Sequence, residues 1–131
     1  RGTTQRYADL LPDSIDVLLL GVGEDGHIAS LFPNNAALQE RNLRVIPITG
    51  PKSPFERLII TPQVIAKARS VFVLSTGSAK AAMLCSALNN PNDIAALPTR
   101  LTLGGTWLME RLLTSFMTMH LIIIKLYWRS Q

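Results

Sequence analysis

The chain has 131 residues, of which 47% are hydrophobic and 17% charged, which is the composition of one globular domain and not of a disordered protein. Its formal net charge of +4 suits an anionic small-molecule partner, whereas its scattered Lys and Arg residues, without interleaved aromatic residues, argue against nucleic acid. The single cysteine, Cys85, cannot form an internal disulfide and favours a reducing compartment. The stretch 112–124 lacks permanent charge but is shorter than the ~20 residues that a membrane span needs.

Short apolar runs alternate with helical segments along the chain, as in parallel α/β proteins. The first run, residues 15–20, is continuous and typical of a strand buried on both faces. Thr61 and Pro62 predict the start of a helix that continues to about residue 68, because Pro is favoured at the first helical position. Further predicted elements are a short helix at 34–41, strands at 43–48, 57–60 and 71–74, and a helix at 79–88. This order predicts an α/β fold with right-handed βαβ units and a Rossmann-like parallel (doubly wound) sheet with flanking helices.

The loop that follows the first strand, residues 21–33, has the composition of a catalytic loop. It carries Asp25 and His27 at the carboxyl end of a predicted parallel strand, where α/β proteins bind ligands. Gly23 and Gly26 allow the backbone to turn tightly and to approach a ligand closely. Because an imidazole can accept and then return a proton near physiological pH, His27 is the candidate acid/base group, and Asp25 is the candidate that holds its tautomer.

The same glycines spell the dinucleotide-binding fingerprint G-x-G-x-x-G at positions 21, 23 and 26. That fingerprint requires a long helix after the third glycine and an acidic residue after the next strand. Pro33 would interrupt such a helix, and the run 43–48 is followed by Thr49 and Gly50 without an acid. A nucleotide cofactor is therefore not expected. A metal is not expected either, because two histidines 93 positions apart and one cysteine give no recognised ligand spacing.

A second loop, residues 75–78, lies between the predicted strand 71–74 and the helix 79–88. The start of a helix presents main-chain N–H groups and the positive end of the helix dipole, so this loop is a potential anion site. Lys80 lies in the first helical turn and can contribute a point charge there. By composition alone, a solvated surface lysine would be the simpler interpretation.

Five motifs occur in the order found in one enzyme family. They are GVGEDGHIASLFP at 21–33, PKSPFER at 51–57, AKARS followed by VFVL at 66–74, TGSAKA at 76–81, and TWL at 106–108. In this order they resemble the 6-phosphogluconolactonases over about residues 9–112. The resemblance implies hydrolysis of 6-phospho-D-glucono-1,5-lactone to 6-phosphogluconate, in the oxidative pentose phosphate pathway and without a cofactor.

The resemblance also implies roles for individual residues: catalytic His27 and Asp25, phosphate-binding Arg57, Lys80 and Gly77, and substrate-binding Gly23, Gly26 and Ser30. Without the resemblance, Arg57 would be interpreted as part of a surface ion pair with Glu56 or a neighbour. Ser30 is not expected to be a nucleophile, because no G-x-S-x-G pattern surrounds it. A capping or substrate-hydroxyl role fits it better.

Lactonases of this family have a substantial further N-terminal half, so residues 1–112 are expected to be the C-terminal portion of such an enzyme, incomplete at the N-terminus. Residues 113–131 depart from the family as an apolar tail, in which His120 is interpreted as structural. The expected partner is a small sugar-phosphate lactone, with no nucleic acid and no membrane, in the cytoplasm. A link to a glucose-6-phosphate dehydrogenase is left open by the sequence.

Three alternatives stand beside the lactonase. The related glucosamine-6-phosphate deaminases share G-x-D-G-H-I-A but continue with Phe-Asn-Glu-Pro, where this chain has Ser30-Leu31-Phe32-Pro33 and no carboxylate. A domain that binds sugar phosphates without turnover would be compatible with the same motifs, although His27 and Asp25 disfavour it. An inactive fragment is the third alternative.

Overall fold

The computed structural model of the protein describes residues 2–111 and 120–125, and the statements below concern these residues. In chain order the helices and strands are α1 (Thr3–Leu10), β1 (Val17–Gly21), β2 (Val45–Thr49), β3 (Glu56–Ile60), α2 (Pro62–Lys67), β4 (Ser70–Ser75), α3 (Ala79–Asn89), β5 (Thr106–Arg111) and β6 (His120–Lys125). Two 3₁₀ turns, Ala36–Gln39 and Pro98–Thr102, complete the described elements.

The main sheet has the strand order β1-β4-β5-β6. β1 pairs in parallel with β4, and β4 pairs in parallel with β5, which confirms the predicted parallel core with flanking helices. The main chain of β6 pairs antiparallel with β5, so part of the predicted tail continues this sheet. The rest of that tail, residues 113–119 and 126–131, lies outside the described residues.

β2 and β3 are not part of the parallel sheet, although the alternation of elements suggested one sheet. They form a separate antiparallel pair in which Val45 lies opposite Ile60 and Thr49 opposite Glu56. The connection between them is a short loop without a helix, so it can join only antiparallel neighbours. The predicted helix at 34–41 is likewise reduced to one 3₁₀ turn, which begins where the Asn35 side chain accepts a hydrogen bond from the main chain of Ala37.

The core lies on one face of the main sheet. Leu20, Val73 and Trp107 are register partners on adjacent strands, and all three side chains are buried. Residues of α2 and α3, Val64 and Met83, belong to the same apolar cluster. Because β1, β4 and β5 follow one another in a single direction, right-handed crossovers place both connecting helices on the same face.

The opposite face of the sheet is open to solvent in the described structure. Val17 and Leu19 are 63% and 58% exposed, and Leu74 is 40% exposed. The prediction that β1 is buried on both faces was therefore wrong, because α2 and α3 cover only the face that carries Leu20 and Val73.

Candidate active site

The loop between β1 and the first 3₁₀ turn is anchored by buried apolar side chains. Ile28 and Leu31 are fully buried, and Ile28 forms isolated β-bridges with Val22 and Leu31. Between these anchors, Ala29 and Ser30 have φ angles of 49° and 70°, in the left-handed region that non-glycine residues rarely adopt. These buried side chains and the two left-handed residues between them fix the course of the loop backbone.

Asp25 and His27 form a hydrogen-bonded pair within this loop. The distance from His27 Nδ1 to Asp25 Oδ1 is 2.5 Å, and the same oxygen accepts the main-chain N–H of His27 at 3.2 Å. Since an ionised carboxylate can only accept, Nδ1 carries the hydrogen and the lone pair of the neutral ring lies on Nε2. Both side chains are partly buried, with 25% of His27 and 34% of Asp25 exposed. This is the geometry of a general base oriented by a carboxylate.

Gly23 makes room for this pair. A Cβ atom at position 23 would lie 2.2 Å from both Cε1 and Nδ1 of His27 and 2.7 Å from Asp25 Oδ1. The main chain of Gly23 also donates to His27 O and accepts from Gly26 N, each at 3.0 Å. The loop therefore closes on itself only when position 23 lacks a side chain.

The pKa of Asp25 lies below its ordinary value of 3.8. Partial burial acts to raise it, but the hydrogen bonds from the His27 side chain and main chain, together with the positive charge of Lys52, outweigh that effect. Asp25 consequently remains ionised throughout the neutral range and keeps accepting from Nδ1.

Phe32 links the imidazole to a guanidinium. Its ring centroid lies 4.8 Å from that of His27, and the guanidinium carbon of Arg57 lies 5.3 Å from the Phe32 centroid. A cation over an aromatic face at this distance is attracted by the ring quadrupole. Phe32 is itself 3% exposed, so it is a rigid spacer between the two polar groups.

Arg57, on β3, is held by several hydrogen bonds. Nη1 donates to Ser30 Oγ at 3.0 Å, Nε donates to Pro54 O at 2.8 Å, and Nη2 donates to Lys52 O at 3.1 Å and to Ser53 O at 3.5 Å. Within the described part of the chain, no carboxylate lies within ion-pair distance of it. Its charge is therefore not neutralised locally, and the surface ion pair with Glu56 is not formed.

Gly77 and Lys80 lie at the same end of the sheet as the His27 loop. Gly21 at the end of β1 is the register partner of Leu74 near the end of β4, so the loops that follow these two strands start side by side. Gly77 has a φ of 88°, and Lys80 is half-buried in the first turn of α3, which carries no acidic residue. Among the described residues, no hydrogen bond or ion pair joins Lys80 to the His27 loop.

The structure adds residues that the sequence did not single out. Phe32 and Lys52 approach the His27–Asp25 pair, and Gly50 lies under Phe32, where a Cβ would be 2.9 Å from its ring. The available signal was that Phe32 and Lys52 lie in the motifs at 21–33 and 51–57, and that Gly50 directly precedes the second motif. A motif does not show that two of its members meet in space. In the described ranges, no group of three or more His, Cys, Asp or Glu residues could hold a metal ion. The helices of that same part are all too short or too polar to cross a membrane.

Residues 2–109 match a family model described as glucosamine-6-phosphate isomerases/6-phosphogluconolactonase. The chain belongs to this family. Among curated relatives, 6-phosphogluconolactonase 4 of Saccharomyces cerevisiae is 42% identical over 88 residues, covering 64% of this chain and 34% of that protein. The human 6-phosphogluconolactonase is 46% identical over 79 residues, covering 60% of this chain and 31% of that protein.

Solved structures of the family agree with the fold. The 6-phosphogluconolactonase of Trypanosoma brucei matches with a TM-score of 0.58 and 32% identity, covering 75% of this chain and 43% of that one. The chain thus spans about a third of the length of the curated relatives it matches. The family name joins two chemistries, lactone hydrolysis and sugar-phosphate isomerisation, so the choice between them rests on the site.

Proposed function

We propose that this chain carries the hydrolytic site of a 6-phosphogluconolactonase, which opens 6-phospho-D-glucono-1,5-lactone to 6-phosphogluconate. The observation that carries the proposal is the His27–Asp25 pair, with Nδ1 bound to the carboxylate and Nε2 available as a base. The lactonase names of the relatives support the same reaction. The segment Ser30-Leu31-Phe32-Pro33 lacks the further carboxylate that an isomerase-type enzyme would have there.

In the proposed reaction, Nε2 of His27 takes a proton from a water molecule as its oxygen attacks C1 of the lactone. Asp25 accepts from Nδ1–H and stabilises the imidazolium that forms. The bond between C1 and the ring oxygen then breaks, and the imidazolium returns its proton to that oxygen. Since the lactone is already an activated ester, the step needs only a positioned base and charge stabilisation near the carbonyl oxygen.

The phosphate of the substrate would be held by cations at the same sheet edge. Lys80 and Gly77 at the start of α3 would form one part of this site, with the helix dipole adding to the charge of Lys80. Arg57 would form the other part, because its charge has no carboxylate partner among the described residues. Its bonds to Ser30 and to the 52–54 carbonyls fix where that charge lies.

The proposed partner is thus a small sugar-phosphate lactone, and neither nucleic acid nor a membrane enters the reaction. A glucose-6-phosphate dehydrogenase is the class of enzyme that would supply this lactone, by oxidising the sugar at C1. A cytoplasmic setting fits the single free cysteine, Cys85. No cofactor has a role in the steps above.

The test is hydrolysis of the lactone generated in situ by glucose-6-phosphate dehydrogenase, with the spontaneous rate subtracted. We expect turnover above background, a loss of at least ~100-fold in His27→Gln, and no change in the matched surface control Arg69→Met. Unphosphorylated glucono-1,5-lactone separates binding from chemistry: Lys80→Gln should raise KM for the phosphorylated lactone only, whereas Lys67→Gln should not. If the unsubstituted chain hydrolyses the lactone no faster than the spontaneous reaction, the proposal is overturned.

Ammonia release from glucosamine 6-phosphate is the corresponding test of the isomerase branch. We expect none, because the segment Ser30-Leu31-Phe32-Pro33 carries no carboxylate and Asp25 is already bound to His27. Ammonia release that depends on His27, with no lactone hydrolysis, would assign the chain to that branch.

A further inference from the structure

Arg100 is a buried cation bound entirely to main-chain oxygens. It is 9% exposed, and its guanidinium donates through Nε to Ala87 O at 3.2 Å, through Nη2 to Ser86 O at 2.7 Å, and through Nη1 to Asp93 O at 2.5 Å. Two of these carbonyls lie in the last turn of α3, where main-chain oxygens lack helical partners and form the negative end of the helix dipole. Within the described residues, no carboxylate is paired with it.

The segment that precedes Arg100 supports the catalytic loop from beneath. We call residues 95–99 the loop floor. Thr99 N–H donates to Gly26 O at 2.9 Å, and Ala95 O accepts from Asn34 N–H at 2.8 Å. Leu97 packs against Gly26 so closely that a Cβ there would lie 2.5 Å from Leu97 Cδ2. The loop floor is thus hydrogen-bonded to the chain at Gly26, immediately before His27, and at Asn34, immediately after the loop.

These two sets of contacts share one short stretch of chain. Arg100 ties the stretch to the carboxyl end of α3, and the loop floor ties it to Gly26 and Asn34. The amino end of α3 carries Gly77 and Lys80. Helix α3 therefore begins at the candidate phosphate site, and its other end is connected through Arg100 and the loop floor to the loop that carries His27.

We propose that Arg100 is a positioning residue, which acts through Thr99 and Gly26 to hold the His27 loop in register with α3. Its planar fork reaches three carbonyls at once, whereas the ammonium of a lysine is a point charge and cannot reproduce that arrangement. The effect on turnover rests on the proposed function, but the effect on the loop does not.

Amide hydrogen exchange measured by NMR tests the structural part without any activity. In Arg100→Met we expect the amides of Thr99 and Asn34 to exchange at least ~10-fold faster, while those of Phe72 and Val73 in the parallel ladder stay within about twofold. Arg100→Lys should give an intermediate effect, and Arg69→Met, which removes an exposed ion pair, should give none. Equal acceleration of all these amides, or unchanged exchange at Thr99, would overturn the proposal.

Two fallback variants and two further readouts test the same proposal. If Arg100→Met does not fold, Arg100→Lys and Leu97→Ala decide, since Leu97→Ala leaves the guanidinium in place and should loosen the same two amides. The imidazole ¹⁵N shifts of His27 should show a less pure Nδ1–H tautomer in each loosened variant. Where the parent chain turns over lactone, kcat should fall at least ~10-fold in Arg100→Met with KM within about threefold, because a misplaced base affects the chemical step. Equal changes in both constants would contradict a positioning role.

Discussion

The guanidinium of Arg57 donates to the hydroxyl of Ser30 across 27 positions of sequence, at 3.0 Å. Ser30 has a φ of 70°, so the bond holds a hydroxyl on a backbone conformation that serine rarely adopts. The contact joins the loop after β1 to strand β3, which belongs to the other sheet. It therefore couples the antiparallel pair to the candidate catalytic loop.

Substitutions at Ser30 should show this strain. Ser30→Ala loses the Arg57 bond and keeps the unfavourable φ, whereas Ser30→Gly loses the bond but relaxes the backbone, so we expect the glycine variant to be more stable by up to about 1 kcal/mol. At Ser86, within α3, the order should reverse by a similar amount, because glycine disfavours a helix interior. Urea denaturation followed by circular dichroism measures both pairs. The same order at both positions would contradict strain at Ser30.

Gly23→Ala should abolish the pairing of His27 with Asp25. Its methyl group would collide with the imidazole and the carboxylate, which must move apart, and we expect at least ~100-fold loss of lactone hydrolysis. Gly21→Ala is the matched control, because a Cβ there meets no atom within 4 Å. The ¹⁵N shifts of His27 report the loss of pairing even without turnover. A Gly23→Ala variant with parental shifts and rates would refute the geometry.

Asp25→Asn should change how stability depends on pH. Since the folded-state pKa of Asp25 is depressed below 3.8, its ionised form stabilises the fold at higher pH, and that contribution is lost as pH falls through the folded-state pKa. The difference in unfolding free energy between parent and variant should shrink as the pH falls below 3.8 and through the lower folded-state pKa of Asp25. Asp16→Asn, in an exposed pair, should differ from the parent by less than about 0.5 kcal/mol at pH 7. A difference that vanishes already at pH 5 would contradict the lowered pKa.

Thr99→Val should be neutral or stabilising. The hydroxyl of Thr99 is buried and has no hydrogen-bond partner among the described residues, so replacing it by a methyl group removes an unsatisfied polar atom. Thr102→Val is the matched control, because the Thr102 hydroxyl donates to Thr99 O at 2.7 Å and its loss should cost about 1 kcal/mol. Denaturant midpoints of the two variants, with unchanged slopes, provide the comparison. Destabilisation by Thr99→Val as large as that by Thr102→Val would show that its hydroxyl has a partner.

The strands β1 and β4 and the helices α2 and α3 could be predicted from sequence because each has a local cause: an apolar run, Pro62 at the helix start, or Pro91 after the helix end. The pairing of β2 with β3 was missed, although the short Gly/Pro-rich loop between their apolar runs can join only antiparallel neighbours. The sequence does not show that this pair is separate from the main sheet. In the candidate site, a contact between residues close in sequence could be predicted. Asp25 and His27 are two residues apart and share a loop, so their contact could be expected.

The contacts of Phe32 with Arg57, and of Leu97 with Gly26, join segments that are distant in sequence. The local sequence pattern of either segment does not indicate that the two segments lie close together. Arg100 illustrates this most clearly, since its three acceptors are main-chain oxygens, which every residue has.

The open face of the main sheet also bears on how this protein can be studied. In the described structure, Val17, Leu19 and Leu74 present apolar surface to water. Fluorescent dyes that report unfolding do so by binding newly exposed apolar surface, and here they would already find it before any heating. A dye-based melting curve would start from a bright baseline and mask the transition, whereas circular dichroism, which follows the backbone, would not.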